Sequence, residues 1–245
     1  MASSQPISSA PNKRALVAPL WHTIVLVVVI LGIALLQSRQ PHQLDSVQLK
    51  SRLPLYAAQI LFELILFAYV WLLGLRLTGT PVSELIGGKW ASLRDMVQDI
   101  RVAVMFWIVV AGVLLVLNKV LGENAGGLRA VKALLPQGPL EMALWVVVCV
   151  TAGFCEEFVF RGYLQSQFVA LTGRAEWAIV LQALVFGAGH GYQGMKGMIT
   201  IAIYGAMFGI LAAMSKSLRP GMIQHAGQDI FSGIVGSALA RKNYF

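Results

Sequence analysis

The chain has 245 residues, 57% of them hydrophobic and only 12% charged, with a mean hydropathy of +0.71. This excludes an ordinary soluble domain and predicts an integral, multi-pass membrane protein, expected in the cell membrane. A net charge of +8 would suggest nucleic acid in a soluble chain, but here the basic residues lie between apolar runs and are not interleaved with aromatics. They read as headgroup anchors, so the bilayer is the implied partner and nucleic acid is not.

In chain order, residues 1–14 are rich in Ser, Pro and Ala, close on Lys13-Arg14 and read as a disordered tail. Apolar runs follow at 15–36, 53–75, 102–117, 140–160, 177–188, 199–214 and 222–239. They predict an all-α, polytopic bundle of about seven spans. Several fall short of the roughly 20 residues a straight span needs, so helices are expected to gain polar flanks or to break inside the protein. The expected division is N-terminal transmembrane helices over 15–138 and a C-terminal catalytic bundle over 139–240. Loop charge does not orient the chain, because its basic residues divide evenly between the two faces.

Local signals mark some boundaries. Thr78-Gly79-Thr80-Pro81 stops a helix, and Ser92-Leu93-Arg94-Asp95 has the spacing of a capping box, which predicts an interfacial helix before the third span. Pro139 and Glu141 suit the first turn of the fourth. Cys149 and Cys155, six residues apart on one helix, are roughly 9 Å apart along its axis, beyond disulfide reach, and read as packing residues.

Glu156, Glu157 and Arg161 end the apolar run of the fourth span. An ionisable residue within a span costs roughly 2.5–3.5 kcal/mol, so three together mark a polar site inside the bundle. On a helix Glu157 and Arg161 fall at i, i+4, which leaves Glu156 for proton transfer. An isolated Glu–Arg pair would more often just lock two helices; the second carboxylate argues against that here. The run Phe186-Gly187-Ala188-Gly189-His190-Gly191 cannot favour continuous helix, and broken backbone at membrane depth places His190 beside a wet cavity. His225 and Asp229 share a face at i, i+4 just after Pro220. By helical rise Glu156 and His190 lie roughly 18 and 20 Å from their connecting loop and can meet. His225 looks shallower, so the last loop is expected to dip into the bundle or the helices to tilt. Glu63, alone in the second span, is a weaker candidate, read equally well as a proton site or as a structural residue that pairs or faces a pore. Gly205-x-x-x-Gly209 has the spacing of close helix packing, internal rather than dimeric.

Together, Glu156-Glu157-x-x-x-Arg161, Phe186-x-x-x-His190 and His225-x-x-x-Asp229 resemble the three motifs of the CPBP family, the CAAX prenyl endopeptidases of Ras-converting type with their bacteriocin-processing and immunity relatives. The resemblance covers roughly the C-terminal half. It implies an intramembrane endopeptidase in which Glu156 and His190 activate water, His225 and residue 229 stabilise the oxyanion, and Arg161 holds Glu157. It also implies no metal cofactor, a site open to the cytosol, and a peptide or protein substrate at the membrane, lipidated or not. One residue departs from the pattern: Asp229 stands where the family has Asn, and an ionised Asp cannot donate to an oxyanion, so it is either protonated or acts indirectly, accepting from His225 and keeping that imidazole cationic; the indirect role is the one expected. Two alternatives stay open. Glu156, His190 and His225 could bind a metal, although no His-Glu-x-x-His occurs. The chain could also be a non-enzymatic immunity or scaffold protein, or a proton-coupled transporter with Glu63, Glu156 and the histidines as its relay.

Overall fold

Among the described residues, which are 15–38, 51–122 and 124–242 of a computed structural model, every regular element is helical. The expected tail, 1–14, lies outside them. The helices are α1 (Leu20–Ser38), α2 (Leu53–Thr78), α3 (Val82–Ile86), α4 (Leu93–Leu121), α5 (Ala125–Leu134), α6 (Pro139–Thr172), α7 (Ala175–Ala188), α8 (Gly194–Ser215) and α9 (Arg219–Arg241). Four are long and apolar enough to cross a membrane: α2, α4, α6, and α8 with the 3-10 turn Gly191–Gln193 before it. They coincide with four of the seven expected spans. Of the other three expected spans, α1 and α7 are apolar but shorter, and α9 is more polar. Large apolar side chains such as Val104, Met105, Ile108 and Val116 of α4 face outward, as lipid contact requires.

The boundaries follow from capping chemistry. Ser92 Oγ accepts from Asp95 N at 3.2 Å while Asp95 Oδ2 accepts from Ser92 N at 3.0 Å, a complete capping box. The helix it opens is not a separate interfacial one. It runs unbroken into the third span, because nothing between Leu93 and Val102 interrupts the helical hydrogen bonds; only short α3 precedes it. Pro139 opens α6, and Glu141 in its first turn accepts from Gln137 N at 2.9 Å and Arg52 N at 2.8 Å.

Two helices contain wide π turns, Tyr69–Leu75 in α2 and Glu157–Leu164 in α6. In the second, Gln165 N–H bonds to Phe160 O, five residues back. The turn begins immediately after Glu156 and is buried throughout. It forms the centre of the molecule, with Phe158 and Tyr163 packed among Leu26, Leu75, Phe186 and Phe208.

Helices α7 and α8 pack most extensively, and α6 packs along α7, α9 and α2. The Gly205 and Gly209 faces lie against α7 and α6, where Gln182 Nε2 donates to Gly205 O and Gln165 Nε2 to Gly209 O, each at 3.0 Å. That stripe is used for internal packing. Helix α9 approaches α6 just as closely: a Cβ on Gly153 would stand 2.8 Å from Ala226 N and 3.1 Å from Met222 O.

Candidate active site

The last loop decides where His225 sits. Ser217 and Leu218 are buried, with Leu218 N donating to Ile86 O at 3.0 Å and Ser217 Oγ to the same oxygen at 3.2 Å. Arg219 is held to Asp99 Oδ2 at 2.7 Å and lies over Trp90, whose Nε1 donates to the same Asp99 oxygen at 2.6 Å. The loop therefore dips into the protein, and α9 starts deep enough for His225 to reach the level of the two glutamates.

There His225 meets three carboxylates. Its Nδ1 lies 3.0 Å from Glu157 Oε1, and its Nε2 lies 3.7 Å from Glu156 Oε2 and 3.6 Å from Asp229 Oδ2. Ionised carboxylates only accept, so the imidazolium, with a proton on each nitrogen, is the form that satisfies this environment. Phe208 and Tyr204 cover the ring, and Trp145 Nε1 fixes α9 by donating to Asp229 O at 3.1 Å.

Glu157 and Arg161 are 1% and 2% exposed, so each must find compensation inside the protein. Arg161 Nη1 stands 3.0 Å from Glu157 Oε1. The contact is an ion pair without hydrogen-bond alignment, for none of the guanidinium nitrogens has a hydrogen-bond partner among the described residues. Aromatic faces supply the rest: the guanidinium carbon lies 4.1 Å from the Phe186 centroid and 5.1 Å from that of Phe208.

His190 follows the end of α7, before the 3-10 turn. Its Nδ1–H donates to Phe186 O at 2.9 Å, which leaves Nε2 with a free lone pair. The Phe186 ring packs edge-on against it at 4.8 Å between centroids. Thus Phe186 spaces Arg161 from His190 and orients both. Among the described residues no ion pair joins His190 to Glu156, and the neighbouring Tyr192 ring lies 6.0 Å from the imidazole. The structure thus brings Glu156, Glu157, His225 and Asp229 into direct proximity, while the hydrogen bond of His190 goes to Phe186 O.

Glu63 is also present: it lies within hydrogen-bonding reach of Glu156. The sequence marks Glu63 as an anomalous charge but gives no hint of its partner. Trp145 and Tyr204 carry no signal at all in the sequence, being aromatic residues in apolar runs. Cys149 and Cys155 are buried free thiols. Among the described residues no group of three or more His, Cys, Asp or Glu side chains is arranged to hold a metal ion.

Every one of these residues from Trp145 to Asp229 lies in one stretch that is similar to a known family. Residues 138–231 match the family model of Rce1-like type II CAAX prenyl endopeptidases. The match opens on the cap of α6 and closes two residues beyond Asp229. The matched segment is similar to that family and contains all three motifs on which the resemblance rests. No curated protein and no solved structure matches the chain significantly.

Proposed function

We propose that the chain is a glutamate-dependent intramembrane endopeptidase that hydrolyses a peptide bond in a membrane-bound protein or peptide. The observation that carries this reading is the convergence of Glu156, Glu157 and Asp229 on one imidazole, within the segment that matches the Rce1-like family.

Glu156 is the general base. Its carboxylate takes a proton from water as the water oxygen bonds to the scissile carbonyl carbon, and His190 Nε2 accepts the second water hydrogen bond and so orients the attack. The carbonyl oxygen becomes an oxyanion. His225 stabilises it through Nε2–H, which is 3.6–3.7 Å from its nearest carboxylates and so is not committed to a hydrogen bond. Collapse of the intermediate breaks the C–N bond, and the proton held by Glu156 passes to the leaving amine. Glu157 and Arg161 hold His225 from the other side. Asp229 acts indirectly, supporting the cationic imidazole.

The test uses purified protein in proteoliposomes with farnesylated and unmodified CAAX peptides. Cleavage by the wild type, with Glu156→Gln and His190→Ala reduced at least about a hundredfold at unchanged folding, is the expected result. A folded wild type that cleaves no membrane peptide, together with a cellular phenotype that survives Glu156→Gln, would show the chain to be an immunity or scaffold protein instead. Zinc-restorable chelator sensitivity would overturn the metal-free mechanism.

A further inference from the structure

Helix α2 lies outside the Rce1-like segment, yet it carries a carboxyl group to the reacting glutamate. Glu63 is 2% exposed. Its Oε1 accepts from Gln59 Nε2, one turn earlier, at 2.7 Å. Its Oε2 is fully enclosed and meets no protein donor. What does stand within hydrogen-bonding reach is the carboxyl group of Glu156, itself only 14% exposed. Among the described residues no cation pairs with Glu63. Two carboxyl groups that close, in a poorly hydrated place, cannot both be ionised; a proton between them turns repulsion into a short, strong hydrogen bond. Gln59 accounts for one Glu63 oxygen, which leaves the enclosed oxygen as the one that carries the proton.

We infer that Glu63 is a positioning residue for Glu156: it stays a carboxylic acid and donates through Oε2–H to one Glu156 oxygen, so that the other is free to receive the proton of water. This rests on the peptidase reading above. The Glu63 proton is not consumed. It holds the Glu156 carboxylate in one rotamer throughout the cycle, and it ties the site to a helix beyond the matched segment.

Gln mimics this state and Ala does not. In Glu63→Gln the amide oxygen still accepts from Gln59 and the NH2 still donates to Glu156. The expected result, in full-length protein with thermal unfolding as the folding control, is a kcat at least about tenfold lower in Glu63→Ala with KM within about twofold. Glu63→Gln should restore kcat to within about threefold of wild type. Infrared spectra at neutral pH should show a carboxylic-acid C=O band that Glu63→Gln removes and the exposed-site control Glu84→Gln keeps. A Glu63→Gln enzyme as slow as Glu63→Ala, or one that leaves the infrared band in place, overturns the inference. A wild type without peptidase activity overturns the peptidase reading and the positioning role with it, while loss of the band in Glu63→Gln would still uphold the shared proton.

Discussion

One oxygen of Glu157 joins the last helix to the middle of the sixth: Oε1 lies 3.0 Å from His225 Nδ1 and 3.0 Å from Arg161 Nη1. A fully buried carboxylate placed between two cations locks the imidazole in orientation, and both cations depend on it. His225 of α9 is thus braced by a pair that sits entirely within the π turn of α6.

Removing Arg161 should therefore be costly. Arg161→Ala leaves Glu157 in an apolar core with only His225 opposite, and breaking a buried pair by deleting one partner typically costs about 3–5 kcal/mol. Arg161→Lys should rescue this poorly, because an ammonium lacks the planar, delocalised group whose carbon lies 4.1 Å from the Phe186 centroid and 5.1 Å from that of Phe208. Thermal unfolding in detergent reads both; a Lys variant as stable as wild type would show the stacking to be unimportant.

Asp229 offers a graded test of how His225 is charged. Asn at this position keeps an acceptor near His225 Nε2 and adds a donor, so Asp229→Asn should retain proteolysis within about fivefold. Asp229→Ala removes both and should lose about tenfold or more, in kcat rather than KM. An inactive Asn variant would mean that the negative charge itself is required.

Gly153 sets how near α9 comes to α6. A Cβ there meets Ala226 N at 2.8 Å and Met222 O at 3.1 Å, both backbone atoms that cannot swing aside. Gly153→Ala should push α9 outward, cost about 1–3 kcal/mol of stability, and draw His225 away from Glu157. Because a misplacement of 1 Å can cost about a hundredfold in rate, activity per folded molecule should fall further than the stability loss implies. Equal losses would argue that α9 simply unpacks.

Tyr163 tests the support on the far side. His22 Nε2–H donates to Tyr69 O at 3.1 Å, so its Nδ1 accepts from Tyr163 O–H at 2.7 Å. The Tyr163 oxygen then accepts from Thr23 Oγ1 at 2.8 Å, and Thr23 from Gln167 Nε2 at 2.6 Å. This chain fixes α1 to the π turn through fully buried groups. Tyr163→Phe leaves His22 Nδ1 without a donor and the Thr23 hydroxyl proton without its acceptor, and should destabilise by about 1–3 kcal/mol. The midpoint of thermal unfolding checks it, and an unchanged midpoint would show that water satisfies these groups.

The chemistry of single positions was legible before any folding was considered. Charge in an apolar run singles out Glu63, Glu156, Glu157 and Arg161, because the bilayer penalises each wherever the helix lies. The i, i+4 spacings of Glu157 with Arg161 and of His225 with Asp229 follow from helix geometry alone, as does the break at His190 from its glycines. The start of α4 was legible at Ser92 but its continuity was not, since a capping box marks only where a helix begins.

The sequence by itself thus determined an all-helical membrane protein and named the residues of its candidate site, because composition, caps and short-range spacing are local properties. Only the tertiary structure decided which of them meet. The depth of His225 depends on Ser217 and Leu218 being tied to Ile86, more than 130 positions away in the chain, and on Gly153 letting two backbones touch. The choice of Glu157 as its Nδ1 partner, the two aromatic faces on Arg161, and the approach of Glu63 to Glu156 are likewise contacts between different helices. Helical periodicity tells which face a side chain occupies, but not which neighbour that face is turned towards; packing settles that for the whole bundle at once.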